Sequence, residues 1–183
     1  MREKEKMDII EIVDYDADWP GKYVAERDLL ARALPGSVKD IQHVGSTAVP
    51  GLGAKPVIDI LVAIEDMREA QSIRQVLSSL GYNNIAHDED AERLFFYKGM
   101  PRTHHVHVVK FRSWTYWKHI LFRDHLMDHP LITEEYDCLK RVLAKRYRED
   151  RTSYLQAKSS FVEMVLERAV KDKLIFFSVW QGR

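Results

Sequence analysis

Residues 56–64 read Pro-Val-Ile-Asp-Ile-Leu-Val-Ala-Ile, and no other segment constrains the fold so tightly. A run this rich in β-branched and apolar residues is a strand. Its lack of apolar–polar alternation places it inside a sheet, covered on both faces. One residue breaks the run. Asp59 puts a carboxylate in the middle of a buried strand, where a charge without a partner is costly. Asp59 therefore either accepts backbone N–H groups from a neighbouring loop, or serves as a metal ligand or general base. Enclosed carboxylates concentrate at functional sites.

The surrounding pattern supplies the rest of a sheet and its helices. Residues 9–13 predict a short opening strand. Asp18 is placed to cap a helix with Pro20 in its first turn, running to about Leu34 and stopping at Pro35-Gly36. Residues 38–44 predict a strand that exits into Gly45-Ser46-Thr47-Ala48-Val49-Pro50-Gly51-Leu52-Gly53, a loop too rich in glycine for a long helix. After the central strand, Asp66-Met67-Arg68-Glu69 resembles a capping box, opening a helix that ends near Leu80 at Gly81. Residues 93–98 and 104–110 form an antiparallel hairpin turning at Gly99-Met100-Pro101. Three helices follow, at about 113–127, from a Thr133 cap, and at about 152–170. The order predicts an α+β fold with a mixed β-sheet core and a helical C-terminal half, in a single domain over 1–183.

Composition excludes more than it assigns. Lys+Arg and Asp+Glu both total 28, so the net charge is zero and the basic excess of a nucleic-acid coat is missing. The one cysteine, Cys138, can form neither an internal disulfide nor a thiolate metal site, and is expected as a packed small residue in a helix. No apolar run is long enough for a signal or a membrane span, so the cytoplasm is the expected compartment. Residues 1–7 are expected to be mobile. The apolar tail over 171–183 is expected to pack on the body or on a neighbouring chain.

The chemistry-bearing residues fall into a few groups. Gly45-Ser46 leaves a strand upstream of Asp59, where backbone N–H groups, the Ser46 hydroxyl and neighbouring Thr47 can approach a phosphate. His105 and His107 share one face of a strand, a spacing used by metal ligands and equally by half-buried polar pairs. His43 is a third member of that cluster or a supporting partner. Lys55, Arg123 and Lys158 are cations suited to an anionic ligand, although Arg123 and Asp124 can simply pair with neighbours. Trp114 and Trp117 share a helix face and are expected in the core, as are Phe95, Phe96 and Tyr97.

Taken together, these segments resemble the GrpB family. The resemblance rests on His43-Val44-Gly45-Ser46-Thr47-Ala48-Val49-Pro50-Gly51-Leu52, Lys55-Pro56-Val57-Ile58-Asp59-Ile60 and His105-Val106-His107-Val108-Val109. Phe122-Arg123-Asp124-His125-Leu126, His129-Pro130, Tyr154, Lys158 and Phe161-Val162 extend it. It implies a nucleotidyltransferase-like fold, in which Gly-Ser and a strand acid bind the nucleotide. GrpB domains also occur fused to dephospho-CoA kinase, where they have been regarded as a folding accessory. Active enzymes of this type carry two carboxylates on the strand to hold Mg²⁺, but here the second position is Leu61. Asp59 with two imidazoles suits Zn²⁺, Mn²⁺ or Fe²⁺ better than Mg²⁺.

The resulting expectation is a protein that binds a nucleotide or other phosphate ester. Asp59 and Ser46 stand at its reactive centre. Gly45, Ser46, Thr47, Lys55, Arg123 and Lys158 contact the ligand. Asp59, His105 and His107 surround a divalent metal (Mg, Mn or Zn). The alternatives are an accessory module for a protein partner and a transition-metal enzyme acting on a different substrate.

Overall fold

The computed structural model describes residues 9–85 and 93–180, with side chains through residue 174. The expectation for residues 1–7 lies outside the described residues. The elements run α1 (Trp19–Ala33), β1 (Val38–Val44), β2 (Ile58–Ile64), α2 (Ala70–Ser79), β3 (Tyr82–Ile85), β4 (Arg93–Lys98) and β5 (His104–Lys110). Four helices complete the order, α3 (Trp114–Asp128), α4 (Pro130–Arg146), α5 (Arg151–Ala157) and α6 (Ser159–Trp180).

The strands form one mixed sheet in the order β1-β2-β5-β4-β3. The β2 strand is antiparallel to β1 and parallel to β5, and β4 is antiparallel to both β5 and β3. The apolar run is thus a central strand, as its composition requires. Its two faces do different work. Ile58, Ile60, Val62 and Ile64 point toward α1 and α2, where Trp19, Leu30, Ile73 and Leu77 join them in the main core. Each such side chain contributes about 1.5–3 kcal/mol on burial. Leu61 and Ala63 point the other way, with Val44, Val109 and Tyr116 of α3. Asp59 shares that second face by alternation.

Several local expectations change. Asp18 makes no side-chain cap, and its own backbone is helical. Asp16 instead accepts from the Asp18 N–H at 2.8 Å and pairs with Lys22. The opening strand reduces to a single bridge between Val13 and Ala54. Asp66 caps a short 3₁₀ turn, Met67–Glu69, before α2, while Glu69 accepts from Ser37 rather than closing a capping box. Thr133 lies inside α4, which starts at Pro130, and its hydroxyl donates back to the Leu126 carbonyl at 2.6 Å. The last helix is broken at Lys158 into α5 and α6, and α6 carries on through the tail to Trp180. Leu174 on that tail is exposed in the single chain, and the side chains beyond it are outside the described residues.

Three side-chain expectations also change. Trp114 and Trp117 are 57% and 42% exposed, because Tyr116 takes the inward position between them. Cys138 is exposed. Tyr136 and Lys140, one turn apart, occupy the buried face of α4, which turns the residue midway between them outward. Among the described residues no helix is long and apolar enough to cross a membrane.

Candidate functional site

Strand register explains the spacing between Gly45 and Asp59. In the β1–β2 pair Val44 stands opposite Asp59, so the residue that leaves β1 arrives beside the carboxylate. Gly45 has φ 73° and ψ −173°, a region essentially reserved for glycine. A Cβ there would lie 2.5 Å from Asp59 Oδ2. Ser46–Ala48 then turn as a short 3₁₀ segment. Thr47 is buried, with its hydroxyl 3.0 Å from His43 Nε2. Leu52 and Val49 pack on Leu126, Tyr136 and Val165, anchoring the loop to the C-terminal helices. Lys140, fully buried, donates from Nζ to the Gly53 carbonyl at the loop's far end.

His105 lies opposite Asp59 in the parallel β2–β5 pair, and His107 lies opposite Leu61. Both imidazoles share the carboxylate's face. His105 Nδ1 donates to Asp59 Oδ1 at 2.9 Å, and His107 Nε2 stands 3.7 Å from the same oxygen. Phe95 of β4 packs against both rings, with centroids 5.0 and 4.9 Å away. The outer nitrogens, His105 Nε2 and His107 Nδ1, are buried without a hydrogen-bond partner among the described residues. Asp59 itself is 27% exposed on its side chain. The group that meets solvent is therefore the carboxylate, with the imidazoles as its support.

Electrostatics agree with that division. Burial alone raises the Asp59 carboxyl, but hydrogen bonding from His105 and His107 outweighs burial and holds it well below the usual carboxylate range. Burial lowers His107. Burial also takes His119 of α3 down to about 4, with His107 next to it adding to the effect. The His119 ring sits 5.1 Å from that of His107, and its Nδ1 donates to the Thr115 carbonyl at 2.7 Å. Burial depresses the Lys158 ammonium, and the Asp59 carboxylate acts against it, while Arg151 and Lys55 add positive charge nearby. Lys158 stands at the break between α5 and α6. Tyr136, raised by burial, adds a phenol near Ser46 and Asp59.

The structure thus brings together Gly45, Ser46, Asp59, His105, His107, Lys55 and Lys158. Three predicted members stand differently, the first being Thr47, which is buried with its hydroxyl on His43. His43 pairs with Ile60, so it lies on the opposite face, where it stacks on Tyr23 at 4.7 Å and holds Thr47. Arg123 binds Gln42 Oε1 and the His43 carbonyl at 2.9 and 2.8 Å, and it pairs with Asp124. Its guanidinium ties α3 to β1. Sequence reasoning missed His119, Tyr136, Lys140 and Arg151. Tyr136, Lys140 and Leu143 do carry a signal, since a lysine inside a buried stripe at helical spacing needs a local purpose.

Comparison with known proteins is consistent with this geometry. Residues 9–168 match the family described as GrpB protein. The chain belongs to the GrpB family. It is 42% identical over 170 residues to a UPF0157 protein of Pseudomonas aeruginosa, covering 89% of this chain and 69% of that one. The crystal structure of the conserved protein GrpB from Enterococcus faecalis superposes with a TM-score of 0.83 at 29% identity. That match covers 90% of this chain and 99% of that chain. The Cid1 poly(U) polymerase matches with a TM-score of 0.54 at 12% identity, over 74% of this chain and 44% of that chain. At that identity the likeness concerns fold alone, and the GrpB fold is nucleotidyltransferase-like. A dephospho-CoA kinase of Mycolicibacterium paratuberculosis is 24% identical over 188 residues, covering 87% of this chain and 46% of that one.

Proposed function

We propose that the Asp59 face binds a nucleotide or another phosphate-bearing small molecule. The observation that carries this reading is a partly exposed carboxylate, held charged by two imidazoles, beside a Gly-Ser loop and opposite Lys158. Ser46 offers its hydroxyl and backbone N–H at the loop, while the Thr47 hydroxyl is taken up by His43. Lys55 and Lys158 supply the positive charge that phosphate requires. A divalent cation (Mg, Mn or Zn) would be held through Asp59, and His105 would join it only by giving up its hydrogen bond to the carboxylate. Such a cation would neutralise phosphate charge as the ligand binds.

The residues do not fit a two-Mg²⁺ centre. Leu61, the position of the second carboxylate in active nucleotidyltransferases, is fully buried among Val44, Ala63, Val109 and Tyr116. That observation supports binding without nucleotidyl transfer, as in an accessory module. The partial likeness to a dephospho-CoA kinase supports the same second reading. Incubating the protein with nucleoside triphosphates and Mn²⁺ separates the two: catalysed pyrophosphate release supports transfer, and its absence supports binding alone.

The test of the proposal is a thermal-shift screen of untagged wild type and Asp59→Ala against nucleotides, with and without Mg²⁺, Mn²⁺ and Zn²⁺. At ~100 times its Kd, a ligand specific to the folded state stabilises by roughly 2.7 kcal/mol. The expected result is stabilisation of wild type and none of the variant. Equal stabilisation of both, or of neither, contradicts the proposal.

A further inference from the structure

Between the C-terminal end of α3 and the body of α6 lies a second cluster, away from the phosphate-binding face. His125 and His129 are one helical turn apart, and Asp172 reaches them from α6. Asp172 Oδ2 is 3.3 Å from His125 Nδ1 and 3.9 Å from His129 Nε2. One ligand atom from each residue falls within 4.8 Å of the others, and among the described residues this is the group that meets that condition. The rings stack with centroids 3.9 Å apart and planes at 22°. They border a cleft of about 160 Å³.

The details favour a cation over a hydrogen-bonded trio. His129 Nδ1 donates to the His125 carbonyl at 2.8 Å, which fixes its tautomer and leaves Nε2 as a lone-pair donor. His125 is 5% exposed, and burial holds its Nδ1 at 3.3 Å from Asp172 Oδ2, on the side that faces the cluster. Tetrahedral Zn²⁺ with bonds of about 2.0–2.1 Å places its ligand atoms about 3.3 Å apart. The Asp172–His125 pair already has that separation at 3.3 Å, and the Asp172–His129 pair, at 3.9 Å, closes to it by a side-chain rotation of the half-exposed Asp172. Two imidazoles and one carboxylate suit a borderline divalent metal, with Zn²⁺ the natural choice.

We propose that His125, His129 and Asp172 form a site for one Zn²⁺-class ion that fastens α6 to α3, with a fourth position open to water. The site is independent of the phosphate-binding reading. The test titrates Zn²⁺, and Co²⁺ as its visible reporter, into untagged, chelator-treated wild type, Asp172→Asn, His129→Gln and Asp59→Asn. His129 and Asp172 are half exposed, so their variants are expected to fold, which circular dichroism checks. The expected result is one equivalent held at this site in Asp59→Asn, with tetrahedral Co²⁺ absorption, and the same equivalent in wild type beside any ion taken up at Asp59. Affinity should fall at least about tenfold in Asp172→Asn and His129→Gln. No Zn²⁺ binding to folded wild type overturns the proposal, and so does binding that is lost in Asp59→Asn but unchanged in Asp172→Asn.

Discussion

Gly45 stands where any side chain would collide with Asp59, and its backbone conformation is one that other residues avoid. Gly45→Ala is therefore expected to cost about 1–3 kcal/mol. At roughly 2–4 °C of melting temperature per kcal/mol, calorimetry resolves the change. Lys140 yields a prediction with a pH sign. Burial brings its ammonium down from 10.5 to about 7. Between those values the unfolded chain binds more protons than the folded one, so stability rises with pH across that window. Lys140→Met should flatten the rise, read by urea unfolding at about pH 7 and about pH 10. An equally steep rise in the variant would assign the effect to other groups. At this scale much of the site was legible. Asp59 was conspicuous because a carboxylate in an apolar strand violates the pattern around it, and alternation alone placed His105 and His107 together. His119 was not legible, because only tertiary packing brings its helix to the sheet.

The elements show where pattern and packing part company. The β1, β4 and β5 strands follow the residues predicted for them, since periodicity and turn glycines act locally. The β3 strand reads Tyr-Asn-Asn-Ile, with asparagines that strands disfavour, and owes its conformation to pairing with β4. Tyr82 secures it by donating to Glu26 at 2.9 Å, a partner 56 residues away that no local reading reveals. The break at Lys158 was equally hidden, since nothing in Gln156-Ala157-Lys158-Ser159 forbids a helix. Element packing also fixes what β2 can become. Leu61→Asp, which would restore the missing carboxylate, buries a charge against Val44, Val109 and Tyr116. It should cost at least about 3 kcal/mol and confer no transfer activity. A stable Leu61→Asp protein in chemical denaturation would refute that account of the strand. Arg123→Ala removes charged hydrogen bonds that join α3 to β1, each worth about 1.5–3 kcal/mol, and should destabilise the fold. A variant as stable as wild type, but weakened in nucleotide binding, would return Arg123 to the ligand.

Across the whole molecule, the sheet divides the main apolar core from the candidate site. One face carries the apolar core against α1 and α2, and the other presents Asp59 to the loop and the C-terminal helices. The nucleotidyltransferase-like fold was legible because its Gly-Ser loop and strand acid lie on consecutive strands. The ligand was not, because one fold hosts many chemistries and Leu61 removes the feature that would specify transfer. The most direct test observes the histidine side chains while a nucleotide is titrated into ¹⁵N-labelled protein with Mn²⁺ replaced by diamagnetic Mg²⁺. The ring nitrogens of His105 and His107 should shift together and saturate with the ligand, while those of His125 and His129 stay in place. Saturable nucleotide binding that leaves His105 and His107 unmoved would contradict binding at Asp59.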